Sequence, residues 1–578
     1  MASENSCNMW VFREGRTTVG GKIVLDGLAS SLNRTISFRR RSRDALVDAL
    51  LRAGELECAL ADQDSPDAPC AAGLTNIVAA ALLELPGSDI ALEKASALLD
   101  TIAAPASLDI SPPEGFAYYA LHPLDFAGMA DGVPLKSSQA AVVGIRSIGA
   151  TLGAVVTAAL KRRGVRAELT TVRPAGHPYD RRTTFSPEQL RWIARRRAAS
   201  SSFLVVDEGP GISGSSFLSV GDALLEAGVA RERITFLGSR YPDVDALTAR
   251  DGAARWRSFR SVISGATTHT PADPGLYIGG GEWRRRFYAD ESLWPASWVQ
   301  MERLKFLSRD ARRLYKFHGH GRFGATVADR ARLLGEAGFG PRLLAHSSGF
   351  SEFALLDGRP MDASQTSAAV LERLADYCAF RALEFGTGGG HQSQLEAMVR
   401  FNLTEEFGCE AGGCLSVLNC GRAVITDGRM LPHEWLLTSG GALVKTDGST
   451  HGDDHFFPGP ADIAWDLAGA IVEWGMTTDA AQYMLERYQR RSGDDPRARM
   501  DAYLLAYTVF RMAYCGMAAF ALGRSAEEQR LRRAATHYRN LAEALLKSPH
   551  MPEPKPVRSA AEYVREQPVK PEPQSRAS

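Results

Sequence analysis

The spacing of apolar and polar positions changes period along this chain. Up to about residue 110, apolar residues recur at helical spacing. "RRSRDALVDALLRAGELECALAD", "LTNIVAAALLELPG" and "IALEKASALLDTIAAP" each predict a helix, the last two stopped by Pro or Gly. From about 111 to 270, short apolar runs alternate with amphipathic stretches. "AAVVG", "RAELTTVRP", "SFLVVDE" and "RITFLGS" predict strands, and "GATLGAVVTAALKRRG", "SPEQLRWIARRRAA" and "SFLSVGDALLEAGV" predict the helices between them. That alternation predicts a parallel, doubly wound sheet, with Phe203 to Val206 buried on both faces. The Gly- and Pro-rich stretch "TTHTPADPGLYIGGGEW" predicts a boundary, with 271–284 as linker. Residues 285–548 open with strand-like pieces and close with long helices such as "ARMDAYLLAYTVFRMAYCGMAAFALG". The tail, 549–578, is rich in Pro and charge and predicts disorder.

Length and charge narrow the picture. A chain of 578 residues exceeds one core, so an α/β multidomain protein is expected. With 67 basic and 67 acidic residues the net charge is zero, which gives no global pull toward nucleic acid or a membrane. The first residues lack the apolar core of a signal peptide, and the eight cysteines are scattered, so a reducing cytoplasm is the expected location. Cys409, Cys414 and Cys420 lack paired spacing and read as buried thiols. Ala140 to Leu160 has nearly the length of a membrane span, but Arg146 and its glycines divide it into strand, loop and helix. The helices of 1–110 carry no chemistry of their own and are expected to serve packing or a homodimer contact. The Arg39 to Arg43 run reads as a solvated helix start.

Chemistry concentrates in "FLVVDEGPGISGSSF", Phe203 to Phe217. Asp207 and Glu208 fall at the carboxyl end of a buried strand, where ligands of open α/β sheets bind. Gly211, Ile212, Ser213, Gly214, Ser215 and Ser216 then offer backbone N–H groups and hydroxyls before a helix N-terminus, which suits a phosphate. Carboxylates beside a phosphate cradle point to a phosphorylated sugar. The acids would take ribose hydroxyls or a sugar-bound Mg2+. This order of strand, acid pair and small-residue loop resembles the signature of type I phosphoribosyltransferases, with the acid-to-loop spacing one residue longer. The resemblance implies a pyrophosphate loop in "VVGIRSIGATLG", with Gly144, Arg146, Ser147 and Gly149. It also implies a mobile basic lid in "TVRPAGHPYDRRTTFSPEQ", with Arg173, His177, Arg181 and Arg182. It implies displacement of pyrophosphate from 5-phosphoribosyl 1-diphosphate (PRPP), with acceptor specificity in Glu114 to Asp125 and the "GSRYPD" loop.

In the last region, Gly319 to Gly324 forms a GxGxxG, but no βαβ unit follows it, so a dinucleotide site is not expected. The stretch from Ala311 instead resembles the aminoglycoside phosphotransferase and choline kinase-like group, a bilobal α+β fold. That resemblance implies Lys316 as the strand lysine for ATP, with Asp329 or Glu336 as its ion-pair partner, and "FALLDG" as hinge. It places the nucleotide-covering loop near Ser308 to Ala311. Asp427 would be the catalytic acid–base residue and Asp447 the metal ligand. Glu434 or His433 would replace the usual Asn, and "DIAWDLAGA" matches the group's later helix. "HGD" at His451 to Asp453 looks like a catalytic triplet, but no metal-binding Asp follows at the right distance, so it is set aside. The expectation is a PRPP-dependent phosphoribosyltransferase with Asp207 and Glu208 at its centre, coupled to a kinase-like domain, using Mg2+, PRPP and ATP on a small molecule. The alternatives are a PRPP- or nucleotide-sensing regulator with an inactive kinase-like domain, and a small-molecule hydroxyl kinase.

Overall fold

The structure is a computed structural model. It describes residues 7–37, 43–84, 89–177, 179–211, 213–388, 392–410, 412–418, 422–548 and 555–556. Most of the basic run at Arg39 and of the tail lies outside these, although Lys555–Pro556 pairs with Cys409–Glu410. Cys420 lies outside them as well, and Cys409 is a buried free thiol.

The chain begins with β1 (Thr17–Val19), α1 (Gly21–Ser37), α2 (Arg43–Asp62), α3 (Ala68–Leu83), α4 (Asp89–Leu99) and β2 (Leu108–Ile110). The short turn α5 (Glu114–Ala117) and α6 (Pro123–Gly132) lead into the sheet region. There β3 (Gln139–Ile145), α7 (Ile148–Arg162), β4 (Arg166–Val172), α8 (Pro187–Ala198), β5 (Ser202–Val206), α9 (Ser215–Glu226), β6 (Ile234–Gly238), α10 (Gly252–Arg257) and β7 (Arg260–Ile263) follow in order. The five strands pair in parallel in the order β4-β3-β5-β6-β7, as the alternating pattern predicted. α8 opens with Pro187 in its first turn and a reciprocal Ser186–Gln189 capping box, which explains the sharp helix start there.

Alternate residues of the strands feed two cores. Val142, Leu204 and Val206 join the side chains of α2, α3 and α7. Val143, Phe203, Val205 and Phe236 pack with Trp192, Phe217 and Trp256 on the other face. The N-terminal helices therefore cover one face of the sheet and share its core, where the sequence had suggested a separate accessory region. The membrane-length stretch Ala140 to Leu160 is strand β3 and helix α7, as read.

The expected linker also carries structure. β8 (Pro274–Tyr277) is the edge of a five-stranded antiparallel sheet. The sheet continues, after the short α11 (Arg284–Phe287), with β9 (Lys305–Ser308) and β10 (Arg313–Phe317). α12 (Gly321–Glu336), β11 (Leu343–Ser347) and β12 (Phe350–Ala354) complete it, and the order is β11-β12-β10-β9-β8. The loop from Ser308 to Ala311 is the tight β9–β10 hairpin. The glycines Gly279 to Gly281 instead open the long β8–β9 connection, whose Trp283 and Phe287 wall the cleft described below.

A large helical layer completes the fold. It contains Ala368–Glu384, Gln392–Phe407, Ala464–Glu473, Arg497–Leu522 and Ala526–Leu546 around one apolar core. Arg497–Leu522 is long and apolar enough to cross a membrane, and 72% of its most apolar window is buried in protein.

The GxGxxG glycines are packing devices. A Cβ on Gly321 would lie 2.5 Å from Asp48, and one on Gly319 would lie 2.9 Å from the Ala117 carbonyl. Asp48 accepts from the Arg322 N–H at 2.8 Å and Glu55 pairs with Arg322 at 2.6 Å. The motif thus fastens the N-terminal helices to α12.

Candidate functional sites

The parallel sheet reverses direction of winding between β3 and β5, and the crevice beyond that switch point is the preferred ligand position of such sheets. The loops after β3 and β5 carry most of the residues chosen from sequence. Asp207 and Glu208 follow β5 side by side, half-buried, and Asp207 Oδ1 accepts the Glu208 N–H at 2.8 Å. Burial pushes the Asp207 carboxyl up to about 8, and burial likewise raises Glu208, against the pull of Arg240.

Arg146, from the loop predicted to hold pyrophosphate, and Arg173, from the predicted lid, converge on one carboxylate. Asp62, at the end of α2, pairs with Arg146 at 2.6 Å and with Arg173 at 2.7 Å. Asp62 holds the place an anionic group would take between the two guanidinium groups. Sequence reasoning missed it because it lies 84 positions before Arg146. The Ser147 carbonyl accepts from the Cys58 thiol at 3.2 Å.

Several expected contacts take other forms. Gly144 and Gly149 are buried, and a Cβ on either would lie 2.3 Å from a backbone oxygen, of Gly149 and of Val206 respectively. Their bare backbone lets α7 pack against β3 and β5, so it is protein that fills the space meant for a phosphate. Ser213 and Ser215 are buried, with Ser213 Oγ donating to Ser215 Oγ at 2.9 Å. Gly214 takes a left-handed conformation (φ 67°) that starts α9, while Gly211 is exposed and Ser216 half-buried; Ile212 lies outside the described residues. The lid is a small hairpin bridged at Ala175 and Arg182, with His177 exposed.

If Asp207 holds a cation-bound sugar, its raised carboxyl sets the pH response. The binding form is ionised, so below about pH 8 each unit of acidity should weaken Mg2+-dependent PRPP binding about tenfold. Calorimetry from pH 6 to 9 checks this, and Asp207→Asn should flatten the profile.

The second site is a cleft of about 200 Å3 between the antiparallel sheet and the helical layer. Leu307, Leu314, Leu355, Leu356 and Leu436 form its apolar end. At its polar end Lys316 of β10, the third strand of its sheet, reaches across the lobes to Asp447, and lies 3.2 Å from Thr450 Oγ1. Asp447 is held well below the usual carboxylate range. Burial opposes this, but Lys316 and His451 outweigh it. Glu336, expected to pair with Lys316, pairs instead with Arg332 at 3.0 Å on the outer face of α12. One helical turn of separation makes that local pair, while Asp447 owns the lysine from the other lobe.

Ligand atoms of Glu434, Asp447 and His451 lie within 4.8 Å of one another, close enough for one cation. Two of the three were chosen from sequence. His451 belongs to the "HGD" set aside there, and Asp453 of the same triplet pairs with Arg330 at 2.7 Å. Lys445 also pairs with Glu434 at 2.5 Å and holds its carboxyl down, against the effect of burial. His433 is half-buried and stacks on Trp283, with ring centroids 5.7 Å apart.

Asp427, expected to be catalytic, is enclosed at 0% exposure. It accepts from Tyr377 Oη at 2.5 Å and pairs with Lys445 at 3.2 Å. Its backbone N–H donates to Asp466 at 2.7 Å, the Gly428 N–H donates to the same carboxylate at 3.0 Å, and Asp466 lies 3.5 Å from Arg381. The TDGR turn is therefore held from inside. Arg429, two residues on, lines the cleft, where it donates to Tyr514 Oη at 3.0 Å. Among the carboxylates lining the cleft, Asp454 stands beside His451, 3.8 Å away.

No family model and no curated sequence matches the chain. Among solved structures it is similar to choline kinase LicA from Streptococcus pneumoniae. That match has 12% identity, covers 41% of this chain and 89% of that one, and has a TM-score of 0.30. It is similar to a choline/ethanolamine kinase family protein from Mesorhizobium loti (16% identity, 46% and 95% covered, TM-score 0.31). It is also similar to macrolide 2'-phosphotransferase MphH from Brachybacterium faecium (16% identity, 44% and 97% covered, TM-score 0.30). These proteins are small-molecule phosphotransferases. At such scores the likeness carries no argument about activity, which rests on the side chains described above. The phosphoribosyltransferase expectation gains nothing from these comparisons.

Proposed function

We propose that the interlobe cleft binds a nucleoside triphosphate with a divalent cation and passes its terminal phosphoryl group to a small-molecule hydroxyl. The observation that carries this reading is the meeting of Lys316 with Asp447 across the lobes, beside Glu434 and His451. The leucines of the apolar end would take the base, and Lys316 the phosphates. Glu434, Asp447 and His451 would hold the cation, which supplies charge neutralisation for the transferring group. The carboxylates suit Mg2+ or Mn2+. The acceptor oxygen forms a bond to the γ-phosphorus, the bond from that phosphorus to the bridging oxygen breaks, and the diphosphate leaves. Asp454 would take the hydroxyl proton, the part sequence reasoning gave to Asp427, whose carboxylate does not reach the cleft.

The sheet crevice favours a second, accompanying reading as a PRPP site. Asp207 and Glu208 would hold the ribose diol, and Arg146 and Arg173 would exchange Asp62 for pyrophosphate. There the acceptor forms a bond to C1 as the C1–O bond to pyrophosphate breaks, and the acceptor's proton passes to solvent. The test is calorimetric titration of the full chain. A non-hydrolysable ATP analogue should bind only with Mg2+ or Mn2+, and Lys316→Ala should weaken it at least tenfold. PRPP binding should weaken as much in Asp207→Asn. Analogue binding that ignores Lys316→Ala would sink the cleft assignment, and binding of both ligands without turnover of any acceptor would favour the sensing alternative.

A further inference from the structure

The interlobe cleft is lined by more cations than its carboxylates neutralise. Lys316 meets Asp447, Lys305 lies 3.5 Å from Glu302, and Arg511 lies 3.3 Å from Glu473. Glu434 has Lys445, and Asp454 has His451. Arg303 and Arg429 line the same cleft, and neither forms an ion pair with a carboxylate among the described residues. Both belong to one wall of rings. The rings of Tyr118 and His455 lie 5.1 Å apart, those of His455 and Phe456 4.3 Å, and those of Phe456 and Tyr514 5.1 Å, and all of these residues line the cleft. Arg303 stands 5.2 Å over Tyr118 at one end of the row, and Arg429 stands 4.8 Å over Tyr514 at the other. Asp454, the proton acceptor of the transfer, directly precedes His455 in the middle of the row.

Of the two arginines, Arg429 is the better placed to hold a ligand. Its backbone is fixed in the TDGR turn, where its N–H donates to Asp427 Oδ1 at 3.2 Å and its carbonyl accepts from Lys445 Nζ at 3.0 Å. Its Nη2 donates to Tyr514 Oη at 3.0 Å, and its other side-chain N–H groups meet no protein acceptor among the described residues. Arg303 donates from Nη1 to the Ala117 and His318 carbonyls, at 3.3 and 3.1 Å. A half-buried guanidinium with spare donors on a fixed backbone favours an oxyanion, whose oxygens can accept two of them at once. An ammonium acceptor would use such rings for cation–π contact, but an arginine already stands over the tyrosine at each end and repels it.

We propose that the hydroxyl acceptor of the cleft carries an oxyanion, a carboxylate or a phosphate, which Arg429 binds while Arg303 adds to the positive field from the other end of the ring wall. This rests on the reading of the cleft as a nucleotide site and names the class of its acceptor. The hydroxyl oxygen gains the γ-phosphorus, its proton goes to Asp454, and the product keeps the oxyanion beside a new phosphate ester.

Calorimetry on the full chain, saturated with a non-hydrolysable ATP analogue and Mg2+, compares glycerol 3-phosphate, glycerate, glycerol and choline. At least one of the two anions should bind about tenfold more tightly than glycerol and choline, the scale for hydrogen bonds to a charged group. The tighter anion tells phosphate from carboxylate. Arg429→Gln should erase the preference and leave the Kd of the analogue within about twofold, and Arg429→Lys, which keeps the charge without the fork, should fall between. The wild-type ranking decides by itself if Arg429→Gln does not fold. Choline or glycerol binding as tightly as both anions would overturn the proposal, and so would failure of both anions to bind. Either result leaves the nucleotide reading standing. A preference that survives Arg429→Gln would overturn the role of Arg429, and loss of the analogue in that variant would assign Arg429 to the nucleotide instead. Failure of the analogue to bind the wild type would refute the nucleotide reading, and the acceptor class with it.

Discussion

Asp466→Ala should destabilise the helical layer by about 3–5 kcal/mol, the range for removing one partner of a fully buried ion pair. Both Asp466 and Arg381 have side chains at 0% exposure. The substitution would leave Arg381 without its nearest countercharge and two backbone N–H groups, of Asp427 and Gly428, without acceptors. The expected result is a low-temperature unfolding transition in calorimetry or loss of soluble protein, with the parallel-sheet region melting separately. Asp466→Asn, which keeps an acceptor oxygen, should fall between the alanine variant and the wild type. An alanine variant that melts like the wild type would refute the internal support assigned to the TDGR turn.

The largest effect on activity is expected at Asp447. Asp447→Asn removes the carboxylate that meets Lys316 and joins Glu434 and His451. Phosphoryl transfer should fall by about 10²–10³-fold, the scale for losing one preorganised electrostatic partner of a transition state. Nucleotide affinity in the presence of Mg2+ should drop as well. Glu336→Gln, on the outer face of α12, should change neither quantity, although sequence reasoning paired that residue with Lys316. A steady-state assay of nucleotide consumption, with circular dichroism to confirm folding, measures both. Equal losses in the two variants would return Glu336 to the site.

The sequence carried more of the fold than of the sites. The strands and helices of the parallel sheet follow from short apolar runs alternating with amphipathic stretches, and the structure keeps their order. Asp207 and Glu208 were legible because an acid pair after a fully apolar strand has one natural position, the carboxyl end of the sheet. Lys316 and Asp447 were singled out by joint spacing within a resemblance, but that reading paired Lys316 with Asp329 or Glu336, and its contact with Asp447 appears only in the structure. Asp427 misled because a turn sequence does not say which way its carboxylate points. Only the packing of Tyr377, Lys445 and Asp466 around it shows that it points inward. His451 was visible in "HGD" but was discarded, since linear distance to a following Asp was the criterion and the true neighbour, Asp447, precedes it.

Periodicity and composition by themselves determined an α/β chain, a parallel sheet, and a carboxylate pair at the carboxyl end of one of its strands. These are local properties, fixed by side-chain spacing within an element or at its end. Tertiary structure alone decided that the N-terminal helices share the core of the sheet and that the glycines of GxGxxG admit Asp48 and the Ala117 carbonyl. It also decided that Asp62 neutralises Arg146 and Arg173. Each of these joins residues tens to hundreds of positions apart. No local pattern encodes such contacts, because they arise only when separate elements bury their apolar faces against one another.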